Sequence, residues 1–530
     1  MGLLSDPEYG SLKWVKILKK VHFLISILCC VGAVVWFVML GNRNFNNETY
    51  FSENALLPGL VKNEFYGLII KNKNTIYLLK LYNYYDNNEM PVPWLVGKMS
   101  HLSLEVYTHN FTLNYPLVKG QKFKGTNVYG ILRAPRTSSL EALVVSVPYR
   151  APSSYQKGTT AGIALMLSFA KFARSQKYWA KDLIFLVTEH EQLGMQAWLE
   201  AYHGIISESN TFYTNLGSFW KDNLPHLDLS KLGFSEFEVN SPKSLDPGKL
   251  VGRSGSIQAA INLEFHTPKI KYIEVKVEGL NGQLPNLDLV NLVHKLCAKS
   301  EIHHSYKHRL VINLAAIHSQ NLMSTDWSNS LYTMLGMVST QLAGVPNGNH
   351  GLFHRFGIEA VTLEGRDSND PAGVAPKVHA LYPTNFYRLG IALESILRSL
   401  NNLLERFHQS YFFYILAGTN RFISIGEFIS FMLLISWYFC RKTFNLFLQL
   451  VYKLLNNNTL CAVLLFTLII LERFHQSYFY ILAGANRFIS IGEFISFMLL
   501  ISWYFMTIIV YELLYNTLCS FIIYIIILNE

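Results

Sequence analysis

Apolar and polar positions divide this chain into three unequal stretches. A first run, Val21 to Leu40, is long enough to cross a bilayer, which takes roughly 20 apolar residues. From about Tyr411 onward apolar residues dominate again. Between these stretches the two kinds of position recur with the periods of strands and helices. Short apolar runs predict strands over 127–132, 142–147, 183–187, 257–264, 272–277 and 360–363. Helical spacing covers 158–174, where Ile163, Leu165, Met166, Phe169 and Phe172 mark one apolar face, and then 195–203 and 287–297. Strands alternating with helices predict an α/β sandwich around a mixed, mainly parallel sheet. Residues 204–252, rich in Ser, Asn, Pro and Gly, read as a long surface insertion.

The apolar runs set the expected topology. Lys13, Lys16, Lys19 and Lys20 precede the first run, and positive charge on that flank predicts a cytosolic N-terminus. The run exceeds a usual signal-peptide core and no small-x-small cleavage site comes after it, which favours an uncleaved anchor. The expected organisation is a cytosolic segment 1–20, an anchor 21–41, a lumenal domain 42–405 and a multi-pass membrane region 406–530. Two glycosylation triplets, at Asn47 and Asn110, fit a lumenal domain. Of the six cysteines only Cys297 lies in the polar region, so that region has no internal disulfide and depends on an ordinary core. The net charge of +9 is scattered, with no basic block interleaved with aromatics, which argues against nucleic acid as a partner.

The tail carries a near-exact repeat, 404–439 and 471–505. The second copy lacks one Phe and has Ala485 where the first has Thr419. A repeat this little diverged reads as a recent duplication or an assembly error rather than an evolved solenoid. In a helix, the lost Phe rotates the later residues by about 100° relative to the earlier ones.

The candidate chemistry centres on Thr188-Glu189-His190-Glu191-Gln192-Leu193-Gly194, an acid-rich turn after an apolar strand, where metallo-hydrolases keep a general base and a metal ligand. Glu264, His266 and His350 complete the set of candidate ligands. The order strand-Glu, strand-Glu, loop-His resembles the zinc aminopeptidase family. By that resemblance Glu189 matches the general base, Glu264 the fourth acid and His350 the final His. The departures are large: His190 stands at the second place of the family's Glu pair, Pro148-Tyr149-Arg150 where the first His belongs, and Lys157-Gly158-Thr159-Thr160 where a bridging Asp belongs. Neither Lys nor Thr replaces a carboxylate that neutralises two adjacent cations. The competing reading makes Glu189, Glu264 and His350 relics, hydrogen-bonded at the sheet's C-terminal edge. Cys297 lies in a helical pattern among apolar neighbours and reads as core. No nucleophile elbow or phosphate loop is present.

Separate blocks carry a second resemblance: Met1 to Pro7, Tyr50 to Ala55, Gly125 to Arg136, Tyr178 to His203, Val277 to Leu289 and Leu404 to Tyr414. Together they closely resemble the GPI-anchor attachment subunit of the GPI transamidase complex, over about residues 1–440 apart from the insertion. The resemblance implies an endoplasmic reticulum membrane protein with an aminopeptidase-like three-layer lumenal domain and multi-pass transmembrane helices. It implies a non-catalytic subunit that binds the GPI lipid and helps present it for attachment to the C-terminus of precursor proteins. The implied partners are a caspase-like cysteine catalytic subunit, other membrane subunits, the lipid and the precursor. The family's GPI-contacting positions map onto Tyr50, Ser52, His408, Gln409 and Ser410, with Gln409 a candidate ligand for a divalent ion such as Mg bridging to the GPI phosphate. The bland alternative makes His408-Gln409-Ser410 polar trim at a span end. Glu427, within the apolar part of the first copy, is a second-rank candidate as an intramembrane acid. Two other functions remain open: an active zinc-dependent peptidase or peptide-bond-forming enzyme, and a purely structural assembly subunit.

Overall fold

The structure, a computed structural model, describes residues 13–60, 62–65, 90–114, 122–136, 140–150, 157–204, 245–310, 322–367, 383–403, 407, 413–424, 426–431 and 434. A ten-stranded sheet forms its centre. Four strands at its middle run parallel: β4 (Glu141–Pro148) lies between β5 (Asp182–Thr188) and β7 (Ser256–Glu264), and β11 (Glu359–Arg366) is next after β7. All seven residues of β5 are buried, which is why its sequence is a continuous apolar run rather than an alternation. Beyond the centre the pairing turns mostly antiparallel. On one side come β3 (Lys122–Leu132), β2 (Glu105–Asn114) and β6 (Leu245–Asp246). On the other come β8 (Tyr272–Lys276), β9 (His304–Tyr306) and β10 (Arg309–Leu310), with only β8 and β9 parallel. The sheet is therefore mixed, and its parallel part is confined mainly to the centre.

Side-chain alternation along these strands builds two cores, one on each face. Leu143, Val145 and Val147 of β4, with Leu183, Phe185 and Val187 of β5, join a cluster with helices α3 (Thr160–Ser175), α5 (Leu287–Lys299) and α8 (Phe386–Asn401). Ala142, Val144, Ile184 and Leu186 point the other way and pack with α4 (Gln192–His203) and α7 (His350–His354). The result is helix, sheet, helix: the three-layer arrangement. Every expected strand and helix of this region is present. β2, a short helix α2 (Val92–His101) and a long helix α6 (Leu322–Ala343) add to them. Of the 204–252 insertion, residues 205–244 lie outside the described residues.

The N-terminal apolar run belongs to α1 (Lys13–Leu40), an unbroken 28-residue helix. Among residues whose side chains are described, which in α1 are continuous only from Ile27, no helix is long and apolar enough to cross a membrane. After α1 the chain forms β1 (Asn47–Glu48), the edge of a second, three-stranded sheet with β13 (Arg421–Ser424) and β12 (Tyr414–Gly418). This hairpin falls inside the stretch assigned from sequence to membrane spans from residue 406, and corrects it over 414–424. Its apolar side chains are buried by packing: Tyr414, Ile415, Leu416, Phe422 and Ile423 all join the first core cluster. Glu427 also moves. Its carboxylate accepts the Ser424 N–H at 3.1 Å and an Asn47 amide N–H at 3.3 Å, while its carbonyl accepts the Trp36 indole N–H at 3.0 Å. Its carbonyl ties the helical turn 426–431 to α1 and its half-buried carboxylate ties it to β1 and β13, so it is not a lone acid in an apolar span. The second repeat copy lies outside the described residues.

Candidate functional site

The turn after β5 is shaped by close backbone approach. A Cβ at Gly194 would lie 2.0 Å from the Glu189 carbonyl oxygen and 2.7 Å from Asn127 Oδ1, so only glycine fits. Asn127 straps the turn from β3: its amide N–H donates to the Gly194 carbonyl at 2.8 Å and its Oδ1 accepts the Glu189 N–H at 3.0 Å. His190 and Glu191 both take left-handed φ, 54° and 49°. Non-glycine residues held there cost on the order of 1–3 kcal/mol each, which the surrounding bonds must offset.

That backbone sends its three side chains in different directions. Glu189 turns back to β3 and accepts the Thr126 N–H at 2.6 Å. His190 is exposed, edge-on to Phe111 at 6.3 Å between ring centroids. Glu191 meets Arg150, with Nε to Oε1 at 2.8 Å and Nη2 to Oε2 at 3.2 Å, a two-pronged pair. The third arm of the same guanidinium, Nη1, donates to Glu264 at 3.2 Å. Arg150 thus stands between two carboxylates at the C-terminal ends of the parallel strands. Lys276 of β8 comes next, 3.6 Å from Glu264 and 2.9 Å from Glu364, and Arg366 closes the row at 2.8 Å from Glu364. Glu191, Glu264 and Glu364 are interleaved with Arg150, Lys276 and Arg366, so the formal charges cancel. Burial opposes the Arg150 cation, but Glu264 and Glu191 outweigh it and raise its pKa. Burial likewise opposes the Glu364 anion, but Lys276 and Arg366 outweigh it and hold the carboxyl below its usual range.

Glu264 and His350 belong to one hydrogen-bonded chain. The Asn262 amide donates to Glu264 at 3.0 Å and to Thr362 Oγ1 at 3.1 Å. Thr362 Oγ1 lies 2.8 Å from His350 Nδ1, and His350 Nε2 lies 2.9 Å from the Glu278 carbonyl. A nitrogen facing a carbonyl must donate, which assigns the proton to Nε2 and leaves Nδ1 to accept from the threonine hydroxyl. Both ring nitrogens are engaged, and burial pushes the pKa of His350 well down, so the ring is neutral. His266 is elsewhere, hydrogen-bonded to Asp367.

These residues do not fit a zinc pair. His350 has no nitrogen free, Arg150 covers the faces of Glu191 and Glu264, and Thr159 spends its hydroxyl on the Pro148 carbonyl and the Arg150 N–H. Among the described residues no group of three or more His, Cys, Asp or Glu side chains is arranged to hold a metal ion. Cys297 is wholly buried in α5 and its thiol is pushed up to about 12, which suits core and not a nucleophile. The role of Arg150 and Lys276 was missed in the sequence. Its one signal was a cationic side chain where a metal-ligating His was expected.

The membrane-side candidates divide between described and undescribed residues. Tyr50 is 44% exposed, its ring 6.0 Å from Phe422 and its carbonyl accepting from the Asn291 amide at 2.8 Å. Asp288, at the start of α5, accepts the N–H groups of Ser52 at 3.0 Å and Glu53 at 2.8 Å. Asn286 in turn caps the helix by accepting the Asp288 N–H at 2.8 Å. His408, Gln409 and Ser410 lie outside the described residues, so the expected lipid and Mg contacts there are without geometry. Among the glycosylation candidates, Asn110 is exposed in β2, its Oδ1 accepting the Thr126 hydroxyl at 2.9 Å, and Asn47 is exposed in β1.

Comparison with known proteins adds the family. The model of the family described as "Gaa1-like, GPI transamidase component" matches residues 124–460. The chain is 26% identical over 438 residues to the GPI transamidase component GAA1 of Saccharomyces cerevisiae, covering 81% of this chain and 58% of that protein. It is 29% identical over 427 residues to the GPI transamidase component gaa1 of Schizosaccharomyces pombe, covering 79% of this chain and 63% of that one. The match therefore spans about 60% of the length of these relatives. Similar solved structures include a glutaminyl cyclase of Porphyromonas gingivalis, at 10% identity and TM-score 0.35 over 64% of this chain and 99% of that one. Another is a putative Zn-dependent exopeptidase of Bacteroides vulgatus, at 10% identity and TM-score 0.31, over 63% and 97%.

Proposed function

The chain belongs to the Gaa1-like family of GPI transamidase components, and from that membership we propose that it is a non-catalytic subunit which binds the GPI lipid and presents it for attachment to precursor proteins. The observation that supports the non-catalytic part is Arg150. Its guanidinium bonds both Glu191 and Glu264, the acids a hydrolytic metal centre would need free. A nucleophile for transamidation then comes from another subunit, a caspase-like cysteine enzyme. The domain is lumenal in the endoplasmic reticulum, with α1 as the anchor and further spans in the C-terminal region.

Lipid contact falls to Tyr50, Ser52, His408, Gln409 and Ser410. Two facts support this placement: Tyr50 and Ser52 come within a dozen residues of the end of α1, and β1 pairs with β13, close in sequence to residue 410. Hydroxyl, amide and imidazole groups at headgroup depth suit a phosphate and glycan, and Gln409 adds an oxygen for a bridging Mg ion. The test is complementation of cells lacking this subunit, read by a GPI-anchored surface reporter. His408→Ala and Gln409→Ala lower the reporter several-fold at unchanged protein level, while Glu189→Ala leaves it near wild type. Full attachment in both headgroup-level variants overturns the lipid-binding role.

A further inference from the structure

The helix α6 is turned inside out. Its inward face carries Ser330, Thr333 and Gln341 beside two methionines, Met334 and Met337, all of them buried. Its outward face carries the larger apolar side chains: Tyr332 is 58% exposed, Leu335 47% and Leu342 66%, with Val345 just past the helix end at 65%. Leu331 and Val338, half-buried, border that face and pack against the core. Within the helix, positions 331, 335, 338 and 342 recur at steps of four and three, a stripe whose inner edge, Leu331 and Val338, meets the core and whose outer edge, Leu335 and Leu342, is exposed. On a helix facing water the hydrophobic effect places such a stripe inward, so this exposed edge calls for a cover. Asp326 is the sole charged residue of α6, and it pairs with Arg421 at 3.2 Å. From Trp327 to Val345 the surface is uncharged.

The place where the stripe starts indicates its cover. Trp327 donates its indole N–H to the Val38 carbonyl at 3.1 Å, and Gly41 packs beneath its ring. The second turn of α6 thus abuts the end of α1, whose Val31, Val34, Val35 and Met39 are themselves exposed. The two apolar surfaces meet at Trp327. An aromatic with one apolar face and one donor at the end of an anchor helix is what the bilayer interface selects. We infer that α6 beds its Tyr332–Leu335–Leu342 face into the lipid surface, so that the large domain is held against the bilayer by an in-plane helix as well as by its anchor. This inference rests on the reading of α1 as a membrane helix. In-plane helices bury their apolar face some 5–10 Å into the headgroup and acyl boundary without spanning it.

The test uses the full chain in its assembled complex, in phosphatidylcholine nanodiscs. An environment-sensitive fluorescent amino acid is placed singly at Leu335, Leu342, Val31 and Val251, the last 82% exposed on the domain. Quenching by brominated lipid is compared with quenching by aqueous iodide. The expected result is strong lipid quenching at 31, at least half that effect at 335 and 342, and iodide quenching alone at 251. Iodide quenching at 335 and 342 with lipid quenching intact at 31 overturns the inference and leaves the anchor standing. Protection from both quenchers also overturns it, because the stripe is then covered by protein. Loss of lipid quenching at 31 removes the anchor reading and the inference together.

Discussion

Arg150 joins two acids at the polar edge of the large sheet. Its side chain is 14% exposed, it contacts two carboxylates, and one of these, Glu264, is 2% exposed. Removing one partner of a buried pair leaves the other charged without compensation, at roughly 3–5 kcal/mol. Lys276 remains 3.6 Å from Glu264, so Arg150→Ala is expected near the lower end, about 3 kcal/mol, read as a lower denaturation midpoint at unchanged slope. A separate residue-scale effect concerns pH. His354 donates from Nε2 to the Ala360 carbonyl at 2.9 Å, while its Nδ1 is buried without a partner and would lie 2.3 Å from a Cβ at Gly279. A proton on Nδ1 has no acceptor to meet, and burial pulls the pKa to about 4. The folded value lies below the unfolded one, so the unfolded state takes the proton first. Stability is full above about pH 6.5 and falls as pH drops toward 4. At pH 5 the loss is at most about 2 kcal/mol, less for the ring's partial exposure. Tm is therefore expected to fall between pH 7.5 and 5.0, and to fall less in His354→Gln, whose amide keeps a donor.

Among the elements, α5 matters for what its first turn holds. Asp288 is buried and accepts two backbone N–H groups from the segment after α1. Asp288→Ala leaves those donors short of partners, at roughly 1–3 kcal/mol, and loosens Ser52 and Glu53 beside Tyr50, which Asn291 still holds. The expected outcome is reduced GPI attachment with the two-core domain still folded, checked by reporter level against limited proteolysis. The same physics decides which elements were legible. β5 was readable as a continuous apolar run, and α3 from its large apolar residues at helical spacing, although the structure buries it on nearly every side. The hairpin 414–424 has two apolar runs around the polar turn Gly418-Thr419-Asn420-Arg421, inside a longer apolar stretch that hides them, and β13 also pairs with β1, more than 370 residues away. α6 has apolar positions at helical steps, 331, 335, 338 and 342, so its helix is legible in principle; which way that face points is not. The turn at 188–194 was legible as a turn, but its meaning was not. Whether Glu191 and Glu264 face a metal or a guanidinium depends on Arg150, brought to them from 41 and 114 positions away.

For the molecule as a whole, the polar edge of the large sheet and the boundary with α1 make different demands. The first is a closed, charge-balanced network, so its variants act through stability and hence through abundance. The second is proposed to meet a ligand, so its variants act on attachment per molecule. Divalent ion removal separates the two. If Gln409 supplies an oxygen to a Mg ion on the lipid phosphate, chelation in the purified complex lowers photo-crosslinking of a GPI analogue to the wild-type subunit, and added Mg restores it. In Gln409→Ala the crosslink is already weak and chelation lowers it little further, because both changes remove one interaction and are not additive. In Glu189→Ala, which removes the carboxylate's bond to the Thr126 N–H, chelation acts as it does on wild type. Equal fractional loss on chelation in wild type and Gln409→Ala would detach the ion from Gln409. A loss on chelation in wild type and Gln409→Ala that is absent in Glu189→Ala would return the metal question to the sheet edge.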